Sequence, residues 1–242
     1  MEWFESWFDT PYYHLLYNNR DYTEAEQFIT KLTTELQLPK GSKIIDLACG
    51  KGRHSVFLNK SGYDVLGLDL SKQSIDHDKQ FENESLHFQV HDMRNPIKSE
   101  PVDAVFNLFT SFGYFDNEED DRKVFASVSE VLNQNGFFVL DYLNEEFVRK
   151  NMVAETIISR GTVDFKIEKR IEGRHIIKDI KFDADGKAHH YYEKVKLHTL
   201  ETIRNYAEEN GFERVKIWGD YKLNDFERET SPRCINLFKK LK

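Results

Sequence analysis

Apolar positions along the chain fall into short runs that alternate with segments of helical period. Residues 43–47 and 64–68 read as buried strands built on Ile44, Ile45, Leu47, Val65, Leu66 and Leu68, with helices predicted over 54–60 and 73–82. Further strands are expected at 86–90, 102–109 and 137–140. A helix over 119–133 carries Val124, Phe125, Val128, Val131 and Leu132 on one face, and Asn135-Gly136 supplies its stop. Short apolar strands separated by helices imply a parallel sheet covered on both faces, an α/β fold.

The two ends of this alternation differ from it. Residues 1–20 are crowded with aromatics (Trp3, Phe4, Trp7, Phe8, Tyr12, Tyr13, Tyr17), and Thr23 with Glu26 reads as a capping box. That box opens a helix to about Leu36, with Phe28, Ile29 and Leu32 inward and Pro39-Lys40-Gly41 after its end. After residue 154 the period becomes two: Val163, Phe165 and Ile167 alternate with polar residues, as do Ile180 and Phe182, and Asp183-Ala184-Asp185-Gly186 marks a turn. An inserted antiparallel sheet is expected over 155–196. A helix at 199–210, closed by Gly211, and strands at 213–218 and 234–238 complete the chain. The expected division is therefore an N-terminal helical lid at 1–40, a main domain at 41–154 and 197–242, and the inserted β subdomain at 155–196.

Composition narrows the partners. The 242 residues are 39% hydrophobic and 31% charged, which suits a packed core with a solvated surface, and 14% aromatic, which suits an aromatic-lined pocket. A net charge of −8 argues against a nucleic-acid partner. Cys49 and Cys234 have no metal or disulfide spacing, no basic leader precedes an apolar run, and no apolar stretch spans a bilayer. The expectation is a cytoplasmic protein without metal or membrane, with a small-molecule substrate. The inserted sheet serves either as a roof over that substrate or as a homodimer surface.

The chemistry concentrates at strand ends. Asp46-Leu47-Ala48-Cys49-Gly50-Lys51-Gly52 is a strand, an acid and a glycine turn that leads into a helix, at the sheet edge where open α/β sheets bind ligands. Gly50 and Gly52 begin a dinucleotide fingerprint, but position 55 is Ser, and a carboxylate at Asp46 would repel a pyrophosphate. It suits a cation. Asp69-Leu70 ends the second strand, where an acid can accept two ribose hydroxyls. Asp92-Met93 follows the third, offering an acid and an apolar side chain to an adenine. The polar and aromatic run Asn107 to Phe115 leaves the fourth.

This ordered set resembles the class I S-adenosylmethionine-dependent methyltransferases over about residues 41–145 and again over 196–242. Asp46-x-Ala48-x-Gly50-x-Gly52 resembles their first motif, with Ala48 in place of the first glycine. The resemblance implies a Rossmann-like seven-stranded sheet with S-adenosyl-L-methionine as cofactor. It places the methionine moiety at Asp46, Ala48, Gly50 and Gly52, the ribose at Asp69 and Leu70, and the adenine at Asp92 and Met93, with Asn107 and Phe109 near the sulfonium. His198-Thr199-Leu200 matches the family's late helix, and Gly219-Asp220-Tyr221 with Ser231-Pro232-Arg233 its closing hairpin. The run Tyr12 to Tyr22 resembles the lid of small-molecule N-methyltransferases, with Tyr17 and Arg20 over the cofactor. Methyl transfer from a sulfonium is an in-line displacement, so positioning and water exclusion matter most. For an amine acceptor, Tyr114, Asp141, Tyr142 and Tyr13 are the candidate proton acceptors.

Plainer readings stand beside these. Tyr12, Tyr13 and Tyr17 serve equally as a clamp on the first long helix, and His54 as a packing residue. His189-His190 point to opposite strand faces and cannot share a metal. The Lys/Glu pattern of 166–181 reads as a solvated face. Two other classes share the early strand, turn and helix: a non-catalytic nucleotide-binding or scaffold protein, and a nicotinamide-dependent oxidoreductase.

Overall fold

The computed structural model describes residues 2–17 and 22–241, and only the backbone of Glu5 and Tyr22. Helices α1 (Trp3–Phe8), α2 (Pro11–Leu16) and α3 (Tyr22–Glu35) come first. Thr10 caps α2 by accepting the Tyr13 amide at 3.1 Å, and Pro11 stands where its missing N–H costs nothing. Because α3 already starts at Tyr22, Thr23 lies in its first turn instead of at the cap.

The α/β alternation follows as β1 (Lys43–Leu47), α4 (Arg53–Lys60), β2 (Asp64–Asp69), α5 (Lys72–Asp78), β3 (Leu86–Val90), β4 (Val102–Asn107), α6 (Glu118–Val131) and β5 (Leu132–Leu143). Strand β4 stops two residues short of the expected 109, since Phe109 and Thr110 take left-handed φ of 59° and 64°. Helix α6 begins with Asn117 accepting the Asp120 amide, and four acids in its first turn oppose the positive end of its dipole. It ends at Val131, before the expected Asn135-Gly136 stop, because Leu132 is already extended.

After α7 (Glu145–Asn151) come β6 (Glu155–Arg160), β7 (Val163–Glu172), β8 (His175–Ala184) and β9 (Lys187–Lys196), then α8 (Leu200–Glu209), β10 (Phe212–Trp218) and β11 (Arg233–Lys240). The main sheet runs β10-β11-β5-β4-β1-β2-β3; the five strands from β5 to β3 are parallel, and β11 runs antiparallel to both of its neighbours, β5 and β10. Strand order reverses between β1 and β4, which leaves a crevice at their carboxyl ends. Alternate residues serve opposite faces: Ile45, Leu47 and Val105 pack with Phe125, Val128 and Ile203 of α6 and α8. Ile44, Val65 and Ala104 pack with Phe28, Leu32 and Leu58 of α3 and α4. This is the seven-stranded, two-faced α/β sheet expected.

The second sheet, β6-β7-β8-β9, is antiparallel throughout, and Asp185-Gly186 with φ of 52° and 71° forms its two-residue turn. Its apolar face (Phe165, Ile167, Ile180, Phe182) is covered by Trp7 and Leu16. Trp7 is fully buried and stacks on Tyr191 with ring centroids 4.6 Å apart. The N-terminal aromatics therefore clamp the inserted sheet and not α3. His189 is half-buried on Phe182 while His190 bonds Asp179 at 2.7 Å, so the two rings do point apart. No helix among the described residues is long and apolar enough to cross a membrane.

Candidate functional site

A cavity of about 930 Å³ opens at the carboxyl ends of β1 to β4. Its floor is the loop from β1 to α4, in which Ala48, Gly50 and Gly52 have φ of 63°, 56° and 64°. Three left-handed residues in five make the chain turn tightly under the cavity, and only Ala48 does so against the steric cost of a Cβ. Asp46 and Gly50 line the space. Gly52 acts from behind it: a Cβ there would come within 2.8 Å of the Phe88 ring.

Asp46 is 2% exposed and accepts the Ser55 hydroxyl at 2.6 Å. Burial pushes its carboxyl up to about 6 against the help of Ser55, and the nearby Asp69 and Asp78 carboxylates add to the rise. A cation at this wall would relieve both burdens. Asp69 accepts the amides of Gly50 and Ser71, each at 2.8 Å, and thereby ties the β1 and β2 loops together. Burial still raises its pKa above the usual carboxylate range. Two amides leave a carboxylate with further acceptor capacity. Leu70 stands at the rim, 36% exposed.

Asp92 and Met93 line the far end of the cavity. Burial alone would raise Asp92, but Arg94 grips both its oxygens at 2.6–3.0 Å and holds the carboxyl below its ordinary value. Arg94 also reaches Glu2 at 3.0 Å, so this acid is part of an ion network as well as of the cavity wall.

Besides Gly52, three expected site residues are not brought to the cavity. Asn107 is fully buried, and its amide donates to the Leu47 carbonyl at 3.2 Å, bracing β4 to β1. Tyr142 is fully buried and donates to the Lys196 carbonyl, which pins the main sheet to the end of β9. Asp141, also fully buried, takes Arg233 at 2.6 Å, the Phe109 amide at 2.7 Å and the Tyr221 hydroxyl at 3.2 Å. Its lone pairs are spent on neighbours, so it holds the loop rather than a proton from a ligand. Phe109 itself lines the cavity, with its ring stacked on His54 at 4.7 Å.

Tyr13, Tyr17 and Tyr114 stand at a junction, since they line both this cavity and a second one of about 400 Å³ toward the inserted sheet. The Tyr17 hydroxyl donates to Glu193 at 2.6 Å. Arg20, expected beside it, lies outside the described residues. The second cavity is walled by Lys169 and Lys178 from β7 and β8, by Arg233, and by aromatic rings. The solvated-face reading of 166–181 holds for Arg170 and Lys181, which pair at the surface with Asp179 and Glu168 respectively, but not for these two lysines. Ser55, noticed only as a departure from the dinucleotide fingerprint, holds Asp46. Arg94, two residues beyond Asp92, could have been paired with it from sequence; Arg233, 92 residues from Asp141, could not.

A family model described as a methyltransferase domain matches residues 38–194. The chain is 27% identical over 219 residues to a glycine/sarcosine N-methyltransferase of Aphanothece halophytica, covering 84% of this chain and 77% of that one. It is 29% identical over 196 residues to the dTDP-3-amino-3,4,6-trideoxy-alpha-D-glucopyranose N,N-dimethyltransferase of Streptomyces venezuelae, covering 78% and 81%. Its fold is similar to that of an S-adenosylmethionine-dependent methyltransferase from Clostridium acetobutylicum, with a TM-score of 0.79 and 20% identity over 95% of this chain and 96% of that one.

Proposed function

The chain belongs to the methyltransferase-domain family, and from that premise we propose that it methylates the amine nitrogen of a small molecule that enters from the inserted sheet. It is an S-adenosylmethionine-dependent methyltransferase with a small-molecule acceptor. Nitrogen as the attacked atom is supported above all by the junction of the two cavities, where Tyr13, Tyr17, Phe109 and Tyr114 present aromatic rings to both spaces. Aromatic faces attract alkylammonium groups, and the methylated amine leaves the reaction as one. Both relatives described above carry N-methyltransferase names.

The residues present fit the cofactor. The buried Asp46 carboxylate gains from an ammonium, as the methionine end provides, and Asp69 keeps lone pairs for two ribose hydroxyls. Met93 and Leu70 offer apolar contacts to the adenine, with Asp92 at its edge. When bound, S-adenosylmethionine supplies an electrophilic methyl on a sulfonium. The chain's own part is to place the amine and exclude water. Phe109 and Tyr114 border the junction, and helices α1 and α2 act as its lid through Phe8, Tyr13 and Tyr17. Tyr114 orients the amine with its hydroxyl oxygen, and Tyr13 is the second candidate for that role. Asp141 and Tyr142 take no part in proton transfer. The edge strand β6, where Ile157 is 65% exposed, is the candidate surface for a homodimer.

Release of S-adenosylhomocysteine, measured across matched amines and alcohols, tests the proposal. Turnover is expected with amines alone; turnover confined to alcohols would overturn it.

A further inference from the structure

Lys169 of β7 stands directly opposite Lys178 of β8, and Lys178 directly opposite Glu193 of β9. All three line the second cavity. Facing ammonium groups on neighbouring strands repel, so this row is unfavourable unless negative charge answers both. Glu193 answers only one. Its carboxylate binds Lys178 at 3.3 Å and is otherwise occupied by the Trp7 indole at 3.0 Å and the Tyr17 hydroxyl at 2.6 Å. Arg233, on the opposite wall, is matched by Asp141. Lys169 is half-buried and has no carboxylate partner among the described residues. Arg53 and Glu24, which also line the cavity, balance in formal charge, so Lys169 leaves a cationic pocket in a chain whose net charge is −8.

We infer that the methyl acceptor carries an anionic group, a carboxylate or a phosphate, which docks between Lys169 and Lys178 at the inserted-sheet end of the second cavity. The inference deepens the acceptor reading and rests on it. The anion completes the row that Glu193 leaves half-neutralised, and it anchors the acceptor at one end while the amine lies among the tyrosines at the other. The lysines are specificity residues, distant in role from the methyl group itself. They select a zwitterion or an amine phosphate over a simple amine.

The experiment follows thermal midpoints of the intact protein, with and without S-adenosylhomocysteine, against sodium phosphate or sodium acetate at ionic strength held constant with sodium chloride. At least one anion is expected to give a saturable rise in the wild type. Phosphate alone identifies a phosphate group, and acetate alone a carboxylate. Lys169→Gln should weaken the apparent anion affinity at least tenfold, Lys169→Arg should restore it, and Lys181→Gln, on the outer face, should leave it unchanged. The S-adenosylhomocysteine shift should persist in all four proteins. No saturable rise in the wild type, or an equal rise in Lys169→Gln, would overturn the inference. Loss of the S-adenosylhomocysteine response with the anion response intact would instead count against the methyltransferase assignment of the first cavity.

Discussion

The carboxylate of Asp141 accepts the backbone amide of Phe109 at 2.7 Å, and Phe109 sits at a left-handed φ of 59°. The next residue, Thr110, is also left-handed, and its hydroxyl accepts Arg233, which in turn is bound to Asp141. Two consecutive left-handed residues with side chains are costly, by about 1–2 kcal/mol each, and persist only where their surroundings impose them. Asp141 and Arg233 impose them, and so set the ring of Phe109 between the two cavities.

Asp141→Ala should therefore act on stability first. It leaves the Arg233 guanidinium, 14% exposed, without its partner, and breaking such a pair costs about 3 kcal/mol or more. Urea denaturation should show that loss. Asp141→Asn, which keeps an acceptor for the Phe109 amide, should lose less, and an unchanged midpoint in both variants would remove the anchoring role.

Asp46 makes cofactor affinity depend on pH. Its folded pKa of about 6 lies above the usual aspartate value because burial disfavours the charged form. The ligand-free fold therefore binds this proton more tightly than the unfolded chain, so the Asp46 contribution to stability falls as pH rises toward 6. A cationic ligand needs the ionised form, so affinity should rise through that range and level off above it, by up to about tenfold per pH unit below the pKa. Asp69 and Asp78 are raised beside it and add to the slope. Calorimetric titrations between pH 5 and 7 should lose most of this dependence in Asp46→Asn. The same variant should melt higher than wild type at neutral pH without ligand.

Tyr142→Phe should cost about 1 kcal/mol, the value of one buried hydrogen bond, and leave the pH profile of turnover as in the wild type. A changed profile would return Tyr142 to the list of proton carriers.

Ala48→Gly removes a Cβ from a residue at φ 63°. After the added freedom of glycine in the unfolded chain, a gain of up to about 1 kcal/mol is expected in chemical denaturation.

The parts of the site that were readable in the sequence are those in which neighbours along the chain are also neighbours in space. Asp46 to Gly52 and Asp69-Leu70 each sit in one strand-to-helix turn, and Asp92-Met93 in the loop that leaves β3, so strand periodicity alone brought them to one edge. Asp141-Tyr142 ends a strand in the same way, yet β11 pairs across it, with Ile235 opposite Asp141 and Cys234 opposite Tyr142. That antiparallel cover, with Arg233 at its start, converts a cavity position into core. Asn107 was misplaced for a related reason: the chain turns left-handed just beyond it, so the side chain points back to Leu47. Lys169 and Lys178 fall within the Lys/Glu pattern of 166–181 that reads as a solvated face; which face meets a cavity depends on where the N-terminal helices dock, and the residues between carry no local sign of that.

Calorimetric binding of S-adenosylmethionine, S-adenosylhomocysteine and NAD to the wild type and to Asp69→Ala bears most directly on the assignment of the first cavity. One site for each of the first two ligands is expected and none for NAD, with the affinity in Asp69→Ala weaker by about 3 kcal/mol, on the order of a hundredfold. Binding of NAD alone, or equal affinity in Asp69→Ala, would contradict it.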